Sequence, residues 1–204
     1  MKSWTGQKAA EFKLKDTFGR EHDSSETLGR WQLLVFHRHL GWPPCRAHLS
    51  QLRQEQNELV ERGVDVKVIT FDDPQLANPY AESLLGEWPL LLDSDRSLYR
   101  RYGFERGSWS AIYGVSSVVR YLGLILSGHR PGRPGKDWRQ LGGDVLVDPE
   151  GIVRIHHVCK TPHDRPTIED LLLAIKRWAS SSGPTNIALQ LNLSRQLNLS
   201  NLSK

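Results

Sequence analysis

The sequence predicts an α/β fold, a mixed β-sheet flanked by helices on both faces. Three observations carry that reading. Strand-like and helix-like periodicities alternate through the first half (β, α, β, α, β, α), as crossover units require. The late segment switches to two strands around a turn and one last amphipathic stretch. A chain of 204 residues, 38% hydrophobic and 25% charged, is long enough to enclose a core and too ordinary in charge for wholesale disorder.

Phe12-Lys13-Leu14-Lys15 alternates apolar with polar and runs into the turn signal Asp16-Thr17-Phe18-Gly19. Ser24 to Gly29 suits one short helical turn. Leu33-Leu34-Val35-Phe36 is a short apolar run fit for a strand buried on both faces, stopped by Pro43-Pro44. From Cys45 to Arg62, Ala47, Leu49, Leu52, Leu59 and Val60 fall near a 3.6-residue period, and Gly63 supplies a stop. Val64 to Phe71 alternates and is rich in β-branched residues, a strand. Asp73-Pro74 starts a helix running to about Leu85. Trp88 to Leu92 forms a strand and Ser94 to Tyr102 a helix ended by Gly103. Asp144 to Asp148 and Ile152 to His157 flank Pro149-Glu150-Gly151 as a hairpin. Pro166 to Trp178 closes the domain as a helix, with Ile168, Leu171, Leu172, Ile175 and Trp178 on one face.

Composition narrows the class. No run of about 18 uninterrupted apolar residues predicts a membrane span, and Met1 to Lys8 lacks the apolar centre of a secretory signal. Two cysteines make neither a disulfide scaffold nor a cysteine-rich zinc site, so the expected compartment is the reducing cytosol. No cofactor and no metal are expected. His156 and His157 alternate onto opposite faces of their strand, and loop His163 has no fixed partner.

Cys45 follows a buried strand and opens an amphipathic helix. Unpartnered amides and the helix dipole at such a start favour a thiolate, the nucleophilic form. Arg46 and Arg38 add positive charge nearby, and His37 and His39 can share a proton. Peroxide reduction or disulfide exchange is the chemistry such a thiol supports. A small buried hydrophobe at a helix start is the alternative reading.

The stretch Phe36-His37-Arg38-His39-Leu40-Gly41-Trp42-Pro43-Pro44-Cys45-Arg46-Ala47-His48-Leu49 resembles the active-site segment of the alkyl hydroperoxide reductase/thiol-specific antioxidant (AhpC/TSA) family, in its peroxiredoxin-like branch with Cys-Pro-x-Cys-Arg. Phe12 to Arg20 is similar to the family's opening hairpin, Trp88 to Gly103 to its middle segment, Gln140 to Gly151 to its late hairpin, and Asp164-Arg165-Pro166 to its last helix start. The resemblance covers roughly residues 10–178 and implies a thioredoxin-like fold, a peroxide substrate and an external thiol or thioredoxin-like reductant. It places the catalytic role on Cys45, with Arg46, Arg38, His39, Trp42 and Pro44 shaping the thiolate's pocket.

The chain departs from the family pattern in places that matter. Trp42 stands where the branch has its first cysteine, so no one-loop dithiol forms. Arg38 and Trp42 occupy the places of the usual Pro and Thr, and the usual downstream Arg falls at about Gly142. Arg38, Arg46 and Arg139 are the candidates to replace it. Cys159 is expected to lie a whole sheet away from Cys45 and to be an ordinary thiol, which makes Cys45 a one-cysteine centre. The competing function is a redox-inactive thioredoxin-like scaffold or interaction protein that uses the basic insertion over 104–141.

Residues 1–179 read as the domain, with an inserted helix and loop over 104–141 and a low-complexity tail over 180–204. The insertion's six basic residues (Arg106, Arg120, Arg130, Arg133, Lys136, Arg139) outnumber Glu105 and Asp137 by four, which accounts for the chain's whole net charge of +4. Val115 to Leu126 suits an apolar helix, followed by a basic turn-rich loop. One short basic run does not define a nucleic-acid partner. A lid over Cys45, contact with an anionic membrane surface, and a helix simply packed on the core stay open.

Overall fold

The computed structural model describes residues 3–40, 43–75, 77, 84–108, 115–126, 137, 139–161 and 164–181. Its centre is a seven-stranded mixed sheet in the order β2-β1-β5-β4-β3-β6-β7. The strands are β1 (Lys13–Asp16), β2 (Glu21–Asp23), β3 (Trp31–Phe36), β4 (Val64–Thr70), β5 (Leu90–Leu92), β6 (Gly143–Val147) and β7 (Val153–Val158). β3 pairs in parallel with β4 and β4 with β5. The late hairpin adds β6 antiparallel to β3 and β7 antiparallel to β6. β3 is therefore central, and all six of its residues are buried. The alternation in β4 does not put a polar face in water: Lys67 is buried and its Nζ reaches Asp65 Oδ2 at 2.5 Å.

Period-two alternation along β3 divides the apolar residues between two cores. Trp31, Leu33 and Val35 point to one face, where Leu49, Leu52, Leu59, Leu171 and Ile175 cover them. Leu34 and Phe36 point to the other, against Tyr99, Tyr102 and Phe104. The aromatic rings there meet edge-on or tilted, with Phe36 and Phe104 centroids 4.6 Å apart.

The helix expected over 45–62 is two. α1 (Pro43–Gln54) and α2 (Gln56–Glu61) are separated at Glu55, whose backbone leaves helical values (φ −97°, ψ 17°). The break re-phases α2, so Leu59 is buried while Val60, counted on the same apolar face from the sequence, is 61% exposed. Prolines 43 and 44 do not merely stop the strand; they form the first turn of α1. α3 (Ser97–Arg101) is shorter than expected because Arg96 takes a left-handed conformation (φ 59°). Asp93 Oδ2 then accepts from the amides of Leu98 and Tyr99. α4 (Val115–Leu126) has the predicted bounds and packs against α1. α5 (Ile168–Ser181) starts inside the predicted helix and continues into the start of the expected tail. Most of the helix expected over 73–85, the basic loop over 129–136 and the tail from 182 onward lie outside the described residues. Among the described residues, no helix is long and apolar enough to cross a membrane.

Candidate active site

The site lies where β3 ends and α1 begins. Continuing the alternation of β3 puts His37 on the α1 face, beneath the first turn of that helix. Its amide donates to Ile69 O at 2.8 Å, and its carbonyl accepts from Tyr99 Oη at 2.5 Å. The His37 ring is fully buried; neither nitrogen meets hydrogen-bond geometry, and the ring faces the Cys45 backbone at longer range. Burial drives this imidazole down to about 3, helped by the nearby Arg165 charge, so it is neutral at pH 7.

Cys45 is 2% exposed, in the first turn of α1. A helix start normally offers several unpartnered amides to an anion. Here the first two residues, Pro43 and Pro44, have no N–H, so the backbone offers fewer donors than the sequence position alone promises. Positive charge comes instead from a residue 120 positions downstream in the chain, Arg165.

Arg165 is fixed at both ends of its guanidinium. Nη1 donates to Asp144 Oδ2 at 2.9 Å and Gly143 O at 3.0 Å, and Nη2 donates to Phe36 O at 2.9 Å. Asp144 is fully buried on β6, and its other oxygen accepts from His48 Nε2 of α1 at 3.2 Å. Burial works against the Asp144 charge, but Arg165 and His48 outweigh it and hold the carboxyl well below the usual carboxylate range. Burial likewise works against the Arg165 charge, and Asp144 together with the sulfurs of Cys159 and Cys45 more than offsets it. The guanidinium thus stays charged in a dry site, where a cation acts on a thiolate far more strongly than in water.

Gly142 makes room for this arrangement. A Cβ at that position would collide with the Phe36 carbonyl and with Arg165 Nη2. The place where the family pattern puts an arginine is therefore vacated by a glycine and filled by a guanidinium arriving from the start of the last helix.

The other predicted residues take varied places. Arg38 is fully buried in the loop after β3, and Arg46 is half-buried on α1. His39 is held by partners of its own. Its Nε2 donates to Asp137 O at 2.6 Å, its Nδ1 lies 3.5 Å from Asp72 Oδ1, and its ring meets Phe71 edge-on. Burial pushes Asp72 up, but the His39 ring and the Leu40 amide outweigh it and keep the carboxyl below its ordinary range. Pro44 lies in the first turn of α1, and Trp42 is outside the described residues. Arg139 is tied away from the cysteine, with Nε donating to Gly107 O at 3.0 Å.

Cys159 corrects the expected layout. It is not a sheet's width away, because β7 is only two strands from β3 and ends at the same edge. Its amide donates to Gly142 O at 3.1 Å, and it is buried. Burial pushes its thiol up to about 12, with Arg165 pulling the other way. His156 and His157 do face opposite sides: His156 Nε2 bonds to Tyr102 O, His157 Nε2 to Asp164. His163 is outside the described residues.

Comparison with known proteins agrees with this geometry. The AhpC/TSA family matches residues 5–156. The chain belongs to the AhpC/TSA family. It is 31% identical to Peroxiredoxin Bcp of Escherichia coli K12 over 126 residues, which is 59% of this chain and 81% of that protein. Peroxidoxin BcpB from Mycobacterium tuberculosis superposes with a TM-score of 0.58 at 18% identity, over 86% of this chain and 96% of that one. A yeast mitochondrial 1-Cys peroxiredoxin superposes with a TM-score of 0.63 at 13% identity, over 87% and 77% of the two chains. At these identities the solved structures establish the shared thioredoxin-like fold. Within this AhpC/TSA, peroxiredoxin-type chain, sequence reasoning missed Arg165 as a site residue. The sequence marked Asp164-Arg165-Pro166 only as a helix start, and the glycine at position 142 was the signal that an arginine had to come from elsewhere.

Proposed function

We propose that this chain is a thiol peroxidase in which Cys45 is the peroxide-reacting cysteine. The observation that carries the reading is a buried thiol at the β3–α1 junction, in the field of a guanidinium fixed by Asp144, Gly143 and Phe36. The Cys45 thiolate attacks the terminal oxygen of a hydroperoxide. An S–O bond forms, the O–O bond breaks, and the leaving alkoxide takes a proton to become an alcohol. Sulfur gives up two electrons and becomes sulfenic acid. Arg165 holds the thiolate charge and the charge developing on the peroxide oxygens, with Arg38 and Arg46 adding to the positive field. An external thiol or thioredoxin-like donor returns the electrons, in a reducing cytosolic compartment.

The test is peroxide consumption by the purified chain with a thiol reductant. Cys45→Ser is expected to lower turnover at least ~10³-fold, in line with loss of a covalent nucleophile. Undiminished turnover in that variant would remove Cys45 from the reaction, and no peroxide consumption by the parent chain would favour a redox-inactive scaffold.

A further inference from the structure

Two buried thiols share one arginine here, and the reading of Cys45 above uses only one of them. Their common location follows from strand register. Phe36 pairs with Gly143, and Gly143 with Val158, so His37, Gly142 and Cys159 form the next row across three adjacent strands. Alternation puts that whole row on one face. Asp144 and His157, one pleat along, are on the α1 and α5 side, as the His48–Asp144 and His157–Asp164 contacts require. Cys159 therefore sits on the face that α1 and Cys45 cover, at the same end of the sheet. The residue between it and β3 is a glycine, so no side chain rises from the β6 position in that row, and Arg165 Nη2 lies against it. The Arg165 charge acts on both sulfurs, and the two sulfurs act on each other. Neither thiol has a disulfide partner in the reduced chain.

We propose that Cys159 is the resolving thiol of the cycle, condensing with oxidised Cys45 within one chain. The inference rests on the reading of Cys45 as the peroxide-reacting cysteine. Once Cys45 is sulfenic acid its charge is gone, and with it one of the attractions acting on the Arg165 guanidinium. Nη1 can stay on Asp144 and Gly143 while Nη2 lets go of Phe36 O. The Cys159 sulfur then attacks the Cys45 sulfur. An S–S bond forms, the S–O bond breaks, and hydroxide leaves as water with the proton from the Cys159 thiol. An external dithiol reduces the disulfide, becoming a disulfide itself and restoring both thiols. Bridging requires the two Cα atoms to come within about 7 Å of each other. Burial of Cys159 gives the arrangement a purpose: an unpartnered, protonated thiol is protected from direct oxidation and reacts only with the sulfur next to it.

The test uses the full chain, fully reduced, given one equivalent of hydrogen peroxide, then acid-quenched, alkylated in denaturant and digested for mass spectrometry. The expected result is a Cys45–Cys159 linked peptide pair from a protein that stays monomeric on a non-reducing gel, both thiols disappearing together. Cys45 trapped as sulfenic or sulfinic acid with Cys159 fully alkylated overturns the inference and leaves the Cys45 reading standing. A linkage joining two copies overturns it as well. Unmodified Cys45 overturns both. In Cys159→Ala, Cys45 is expected to reach sulfinic acid at roughly tenfold lower peroxide than in the parent. Equal resistance in the two proteins counts against the proposal. The peptide mapping decides the question even where that variant folds poorly.

Discussion

Strand β6 is bracketed by two buried aspartates, each paired with an arginine, and the two pairs behave differently. At one end Asp148 is consumed by its own turn. Oδ1 accepts from the amides of Glu150 and Ile152, and Oδ2 from Arg154 Nε at 2.6 Å. Arg154 then lies 3.9 Å over the Trp178 ring, so cation and anion are both fully occupied in holding the hairpin to α5. At the other end Asp144 takes Arg165 and His48, yet the Arg165 charge is left facing two sulfurs. A buried ion pair is structural when each pole is exhausted by neighbours of fixed charge. It becomes reactive when one pole is shared with a group whose charge can change.

Substituting the two arginines is the strongest way to break this comparison. Arg165→Met is expected to lower the second-order rate with peroxide about 10²–10³-fold, by analogy with loss of one fixed charge-stabilising donor, and stopped-flow peroxide decay measures it. Arg154→Met should stay within about threefold in the same assay. Arg165→Lys keeps the charge but not the fork that spans Asp144 and Phe36, so an intermediate loss of about tenfold is expected. Equal rates in Arg165→Met and the parent would make the Asp144 end as purely structural as the Asp148 end.

Stability sharpens the same contrast. Asp144→Asn leaves the Arg165 charge buried without its counter-charge, and urea unfolding should report a loss of about 3–5 kcal/mol along with a changed peroxide rate. Asp148→Asn should cost about 1–3 kcal/mol through the hairpin turn and leave the peroxide rate alone.

Protons discriminate between the ends more gently. His37, near the Asp144 end, is held at about 3 against an ordinary value near 6.5. The unfolded chain therefore binds more protons than the folded one between those values, and stability falls as pH drops through that window. From pH 7 to pH 5 the contribution lost is about 2 kcal/mol. Urea titrations at both pH values should show this loss in the parent and its reduction in His37→Gln. The smallest effect is expected at Leu126 on α4, 88% exposed, where Leu126→Ser should change unfolding free energy by no more than about 0.5 kcal/mol.

Much of the fold could be read directly from local pattern. The Leu33–Phe36 run, the late hairpin and the insertion helix over 115–126 each follow from periodicity and turn residues, and the ordered succession of segments pointed to the family. Cys45 was legible for the same reason, since a strand, a turn and an amphipathic helix are local signals. Arg165 and Cys159 were not. Their proximity to Cys45 comes from the order of β3, β6 and β7 in the sheet and from the absence of a side chain at Gly142, and neither leaves a periodic trace. The contacts of His39 were not legible either: Asp72 and the Asp137 carbonyl, far along the chain, hold its ring. The split at Glu55 was also hidden, because apolar spacing runs through it without interruption.

The return limb of the insertion carries one more implication. Asp137 takes Arg96 at 2.5 Å and Arg106 at 2.7 Å on its carboxylate, and its carbonyl takes the His39 ring. Just beyond, Gly107 N donates to Arg139 O, Leu141 N to Glu105 O, and Gln140 Nε2 to Phe104 O. The two stems are thus stapled together and to the loop ahead of Cys45 before the excursion between them begins. Those staples are made by residues outside 109–136, and α4 within that stretch packs against α1. In engineering language the paired stems are a fixed frame beside the helix that carries Cys45, and α4 is the part of the excursion that leans on that helix.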